Sequence, residues 1–160
     1  MTPLPWLLVA LVVACTAPAP RVRAEVVFVC EHGAAKSVVA MAYFNKLAAE
    51  RGLDVRAVAR GADPQDKPST SATEGLRSDG LQPSLDPPRP LMAAEIRSSA
   101  RVIAFDCNQA AMKALKGMDA CWDDVPATSD SYARAREIIR AHVSAVVDDL
   151  VAHGSSSPSP

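Results

Sequence analysis

Aromatic residues are scarce in this chain. Two tryptophans, two tyrosines and three phenylalanines make up 4% of 160 residues. Binding single-stranded nucleic acid takes rings on which bases stack, and this composition argues against such a platform. An excess of one charge is also missing: 17 Lys and Arg stand against 18 Asp and Glu, a net charge of -1. The basic stripe that follows a phosphate backbone is therefore absent, and no nucleic-acid partner is expected. The four cysteines (Cys15, Cys30, Cys107 and Cys121) include no C-x2-C pair, which argues against the common zinc and thioredoxin-type motifs. No internal repeat is visible. No apolar run approaches the ~20 residues that span a bilayer.

What is present suits a single packed domain. Hydrophobic residues are 49% and charged residues 22% of the chain, enough to build one core at this length. The first 24 residues read as separate from it. Residues 4–14 are almost continuously apolar and 16–20 are small and proline-rich, the pattern of a secretory signal with Val22-Arg23-Ala24 as a small-residue cleavage site. Val12-Val13-Ala14-Cys15 also looks like a bacterial lipobox, which would attach a lipid anchor at Cys15. Export to the periplasm is the expectation. Charge runs against it: no Lys or Arg precedes the apolar run, and Arg21 and Arg23 follow. An uncleaved segment on a cytoplasmic protein is the alternative.

From residue 25 the pattern alternates between strands and helices. Residues 26–29 read as a buried strand, 37–50 as a helix ended by Gly52, and 55–59 as a second strand. This β-loop-α-β unit requires parallel strands. Residues 73–79 read as a short helix stopped by Gly80, and the prolines at 83, 87, 88 and 90 exclude regular structure over 82–90. A helix over 91–99, a strand over 101–105, a weak helix over 108–115 and a short strand at 121–122 follow. The last helix carries an apolar stripe through Tyr132, Ala135, Ile139, Val143, Val147 and Leu150, with His142 on the same face as a structural residue. The tail 153–160 is Ser/Pro-rich and reads as disordered. The alternation predicts a three-layer α/β/α fold on a small four-stranded parallel sheet.

The chemistry concentrates in Cys30-Glu31-His32-Gly33-Ala34-Ala35-Lys36-Ser37. A loop between a strand and a helix directs backbone N–H groups at one point, and the helix start adds partial positive charge, so an oxyanion is the natural ligand. A cysteine placed there reacts as its thiolate. Ser37 is placed to donate to the sulfur, Lys36 to add positive charge, and the small residues Gly33, Ala34 and Ala35 to let the ligand close on the backbone.

The loop resembles the C-x5-R-S signature of the low-molecular-weight protein tyrosine phosphatase family, and still more the C-x-H-N-A-G-R-S loop of the arsenate reductases in that superfamily. Later segments are similar in order: Ala40-Met41-Ala42-Tyr43-Phe44 to the first helix, Gly80-Leu81 through Ser84 and Arg89-Pro90-Leu91 to the central loop, Val102-Ile103-Ala104-Phe105-Asp106 to the late strand, and Trp122-Asp123-Asp124-Val125-Pro126 to the acid loop. The resemblance implies a phosphatase-like fold, hydrolysis of phosphate monoesters (phosphotyrosine or a phosphoprotein among them), and no metal or cofactor. It makes Cys30 the nucleophile, assigns the anion to the backbone of Glu31, His32, Gly33, Ala34, Ala35 and Lys36, has Ser37 support the sulfur, and offers Asp124, or else Asp123, as proton donor.

Two departures from the family pattern stand out. Lys36 occupies the arginine position; a flexible point charge replaces a planar fork that grips two oxygens. Val125, not an acid, precedes Pro126. A weak phosphatase is the first expectation. A degenerate oxyanion-binding domain and an arsenate reductase are the alternatives. For Cys107 and Cys121 a structural role is expected over a redox relay.

Overall fold

The computed structural model describes residues 24–154. The signal, the lipobox at Cys15 and the end of the tail lie outside the described residues. Four strands, β1 (Ala24–Cys30), β2 (Val55–Gly61), β3 (Arg101–Phe105) and β4 (Ala120–Trp122), form one parallel sheet in the order β2-β1-β3-β4. The helices are α1 (Lys36–Glu50), α2 (Thr70–Ser78), α3 (Ala93–Ser98), α4 (Ala110–Lys113) and α5 (Thr128–Gly154).

β1 is the central strand and explains the layering. All four residues of Val26–Val29 are fully buried, as expected for a strand with both faces covered. Val26, Phe28 and Cys30 enter one core with Phe44 of α1, Leu76 of α2 and the stripe Ala135, Ile139, Val143 and Val147 of α5. Val27 and Val29 point the other way, to Val102, Ala104 and Met112, against which Ile96 of α3 packs. Two-residue alternation along one strand thus builds both interlayer cores. Each fully buried aliphatic or aromatic side chain contributes about 1.5–3 kcal/mol.

β3 runs over the residues predicted from sequence, and the other elements shift by a few residues. β2 extends to Gly61 because its end pairs with Cys30 of β1. α2 starts at Thr70, three residues early, because the Ser69 carbonyl accepts the Thr73 N–H at 3.0 Å. α3 is shorter at its start: the Glu95 carboxylate accepts the Met92 N–H at 2.9 Å and fixes that end. α5 begins as a separate turn at Thr128, interrupted by extended backbone at Ser131.

The sheet order places the functional crevice. From β1 the chain moves to one side for β2 and later to the other side for β3. Where the direction of winding reverses, the carboxyl ends of neighbouring strands leave an open crevice. Cys30 ends β1, and Asp106 follows β3 directly.

Candidate active site

The loop that leaves β1 is shaped by Gly33. Its φ is +64°, and a Cβ there would lie 2.7 Å from the Gly61 nitrogen. The glycine predicted to admit a ligand instead lets the loop cross the end of β2. The Cys30 and Glu31 carbonyls accept from Ala62 and Asp63, and the Ala34 carbonyl accepts from Ser69. Ala35 precedes α1 and has no side chain to cap it, so the first N–H groups of a 15-residue helix are left for a ligand.

An open cleft of about 270 Å³ lies over this helix start. Cys30, Glu31, His32, Ala34, Ala35 and Lys36 line it. The structure therefore brings most of the candidate residues of the loop to one place. Cys30 Sγ is 3.2 Å from the Ser37 Oγ, and Ser37 is fully buried. A thiolate here accepts a hydrogen bond from that hydroxyl, which would also steady the sulfur as a leaving group. His32 Nδ1 is 3.1 Å from the Asp63 carbonyl, which ties the ring to the loop after β2. Gln65, Ser69, Gln109, Thr128 and Ser129 complete the wall with polar groups. Apart from His32, no ring lines it. A larger hollow, about 510 Å³, lies between α1 and α5 and holds no cysteine or histidine.

Lys36 does not face an open anion site. Its Nζ donates to Asp106 Oδ1 at 2.8 Å, to Asp106 Oδ2 at 2.6 Å and to the Val125 carbonyl at 2.5 Å. An ammonium has three donors, and all three are taken. The side chain is only 11% exposed. Asp106 itself sits at φ +51°, the one non-glycine residue with positive φ among the described residues. Sequence reading saw Asp106 as the end of a family-like strand and gave it no role.

Asp124, the expected proton donor, is not among the residues lining the cleft. Its carboxylate is 2.9 Å from His142 Nε2, and the His142 ring stacks on Trp122 with centroids 4.7 Å apart. His142 thus has the structural place read from the α5 stripe. Val125, which precedes Pro126, is fully buried, and its neighbour Asp124 is exposed. Asp123 accepts the Cys107 N–H at 2.7 Å. Asp106 and Glu31 are the carboxylates that the fold delivers to the cleft.

Cys107 and Cys121 are joined in a disulfide, with Cα atoms 6.2 Å apart, and Cys30 is a free cysteine. The bond ties the β3 exit to β4. Thiolate and carboxylate ligands for a metal could come together there only after reduction, from Cys107, Cys121 and Asp123.

A second polar cluster escaped sequence reading. Asp79 accepts from Tyr43 at 2.7 Å, Tyr132 at 2.6 Å and Arg136 at 2.6 Å, and so joins α1, α2 and α5. Gly75 makes room for the Tyr132 ring, since a Cβ there would lie 2.3 Å from it. Burial by itself would raise the Asp79 carboxyl; the hydrogen bonds from Tyr132, Tyr43 and Arg136 outweigh it and hold the pKa below 3.8. Burial, then the bond to Asp79, pushes Tyr43 up to about 12 and raises Tyr132 as well. A depressed carboxyl stabilises the fold above its unfolded pKa and ceases to do so as pH falls through the folded value. Asp79→Asn is therefore expected to cost about 1–3 kcal/mol at pH 7. The gap to the parent should narrow markedly in urea melts at pH 2–3. An equal gap at both pH values would remove the charge from this account.

Fold and site together define a doubly wound α/β domain with a cysteine-bearing loop at its switch point. The family model for low molecular weight phosphotyrosine protein phosphatase matches residues 25–122, more than half of the chain, and the protein belongs to that family. Among solved structures, YfkJ from Bacillus subtilis superposes with a TM-score of 0.71 at 20% identity, covering 84% of this chain and 99% of that one. A thioredoxin-dependent arsenate reductase from Corynebacterium glutamicum gives 0.64 at 22% identity over 81% of this chain and 63% of its own. A low molecular weight protein tyrosine phosphatase from Streptococcus pyogenes gives 0.66 at 11%, over 79% of this chain and 93% of its own. Comparison with curated proteins finds no match.

Proposed function

We propose that the protein hydrolyses phosphate monoesters slowly, through a cysteinyl phosphate on Cys30. One observation carries this reading: a free thiol with a hydroxyl 3.2 Å away, facing a cleft over an uncapped helix start. In this reading the sulfur attacks phosphorus in line, and the leaving-group oxygen departs with a proton. Water then attacks the cysteinyl phosphate and releases inorganic phosphate. Backbone N–H groups of residues 31–36 hold the equatorial oxygens. Asp106 stands in the cleft but both its oxygens accept from Lys36, and Asp124 stands at His142, so neither is placed to give up a proton and the leaving group takes it from water, in keeping with slow turnover. Besides the His32 imidazole the wall offers no Phe, Tyr or Trp ring to stack on a phenol, which favours small phosphate monoesters over phosphotyrosine.

The test is phosphate release by the full chain from a small alkyl phosphate and from an aryl phosphate, with acid-quenched protein searched for a phosphorylated Cys30 peptide. Slow release with a trapped peptide is expected. Release without modification at Cys30 would discard the mechanism.

The occupied donors of Lys36 favour one second reading, a domain that binds an oxyanion without turnover. Saturable phosphate binding by calorimetry with no product would establish it. Arsenate reduction receives less support: no cysteine besides Cys30 lines the cleft, so no second thiol is in place to attack a cysteinyl arsenate.

The disulfide also bears on location. Such bonds persist in oxidising compartments and are rare in the cytosol, which supports the export reading of residues 1–24. A mature N-terminus at Cys15, carrying lipid, or close to Glu25 is expected when the protein is sequenced from its host. An intact Met1 would refute export by cleavage.

A further inference from the structure

We propose that the Cys107–Cys121 disulfide is a latch on the loop cation: while closed, it holds Asp106 against Lys36 and keeps that ammonium from an incoming oxyanion. The oxyanion half of this statement rests on the proposed function above; the mechanical half does not.

Every N–H of Lys36 is spent on Asp106 and the Val125 carbonyl, so an oxyanion gains this charge only if Lys36 leaves them. What holds Asp106 in place then decides what the loop can bind. Asp106 has a left-handed backbone, a conformation that aspartate adopts more readily than most residues but still at a cost that its surroundings must offset. Here the constraint is visible on both sides. Phe105 before it is fully buried in β3. Cys107 after it is fastened twice, by the disulfide to Cys121 in β4 and by its N–H to the Asp123 carboxylate at 2.7 Å. Asp123 lies two residues after Cys121, so both fastenings anchor Cys107 to the same short stretch of chain.

Opening the disulfide removes the covalent fastening and leaves the corner to hydrogen bonds alone: Cys107 N–H and Asn108 Nδ2 to the exposed Asp123 carboxylate, and Gln109 N–H to the Asp106 carbonyl at 2.9 Å. The corner is then free to relax, and the carboxylate no longer outcompetes a bound oxyanion for Lys36. Cys121 is exposed and Cys107 half-buried, so a soluble reductant can reach the bond. A dithiol supplies the chemistry. It transfers two electrons and two protons, the S–S bond becomes two thiols, and the reductant becomes a cyclic disulfide. Cys30, already a thiol, takes no part.

The experiment uses the full chain, oxidised and after dithiothreitol, beside Asp106→Asn and the double variant Cys107→Ser/Cys121→Ser. Two readouts are needed. The first is acylation of Lys36 by a small amine reagent, mapped by mass spectrometry against exposed Lys46. Reduction is expected to raise Lys36 labelling in the parent; both variants should label readily already and respond little to reductant. The second is inorganic phosphate binding by calorimetry, expected to tighten at least about 5-fold on reduction of the parent, the low end of ordinary coupling between sites. Unchanged Lys36 labelling on reduction overturns the latch, as does an equal rise in Asp106→Asn. Raised labelling with no phosphate binding in any form leaves the latch standing and removes the oxyanion reading instead.

Discussion

Cys30→Ser is expected to lower turnover by at least about 10³-fold, the scale on which removing a nucleophile acts elsewhere. The physical reason is the atom exchanged. A thiol near a helix start supplies thiolate at neutral pH, whereas a serine hydroxyl in the same place has no base within its hydrogen-bond partners to activate it. Among the described residues, the Ser37 hydroxyl is the group that meets the Cys30 sulfur. The exchange is close to isosteric at a position 7% exposed, so folding is expected to survive, and a thermal melt serves as the control. Phosphate should still stabilise the variant, because backbone N–H groups rather than the sulfur hold the oxygens, and a ligand that binds only the folded state raises stability. Parent-like turnover in Cys30→Ser would show that the hydrolysis comes from elsewhere in the molecule or from a contaminant.

Lys36→Arg is expected to change activity in the opposite direction, by a rise of about 10²-fold in kcat, comparable with one well-placed donor to a developing oxyanion. The two side chains differ in their number of donors. The lysine has three and spends them on Asp106 and Val125. A guanidinium has five in a rigid plane. It can keep both partners and still direct an N–H pair at two oxygens of the phosphoryl group. The gain should fall mainly on kcat, because the planar fork matches the trigonal arrangement of the transition state better than the tetrahedral ground state. A rise confined to KM would indicate plain charge attraction. An unchanged or lower rate in a folded Lys36→Arg protein would place the deficit at another station, with Asp124 and its bond to His142 the next to examine.

How far these features were legible in the sequence follows from how local they are. β3 is readable because Arg-Val-Ile-Ala-Phe is a short β-branched and aromatic run, and its burial on both faces agrees with that composition. The cysteine loop is readable because strand, small residues and helix lie within a dozen residues. Helix starts are less so. α2 begins early through a backbone bond at Ser69, and α3 begins late through a side-chain bond from Glu95, details that no hydrophobic period encodes. Lys36 could be picked out by type, as a cation where a planar fork belongs. Its partner could not, because Asp106 lies 70 residues on and becomes relevant only when β3 settles beside β1. The same holds for Asp79, whose partners come from α1 and α5.

By itself the sequence determined the α/β class, the parallel sheet, the family and the place of the cysteine loop at the end of β1, because these follow from short-range periodicity and from residue types within one loop. Only the tertiary structure decided where the charges go. It spent Lys36 on Asp106, drew Asp124 to His142, joined Cys107 to Cys121 and left Asp106 and Glu31 as the acids that line the cleft. Charges and thiols bind whatever partner the folded chain brings within about 3 Å, and that neighbourhood is set by strand order, not by spacing along the chain.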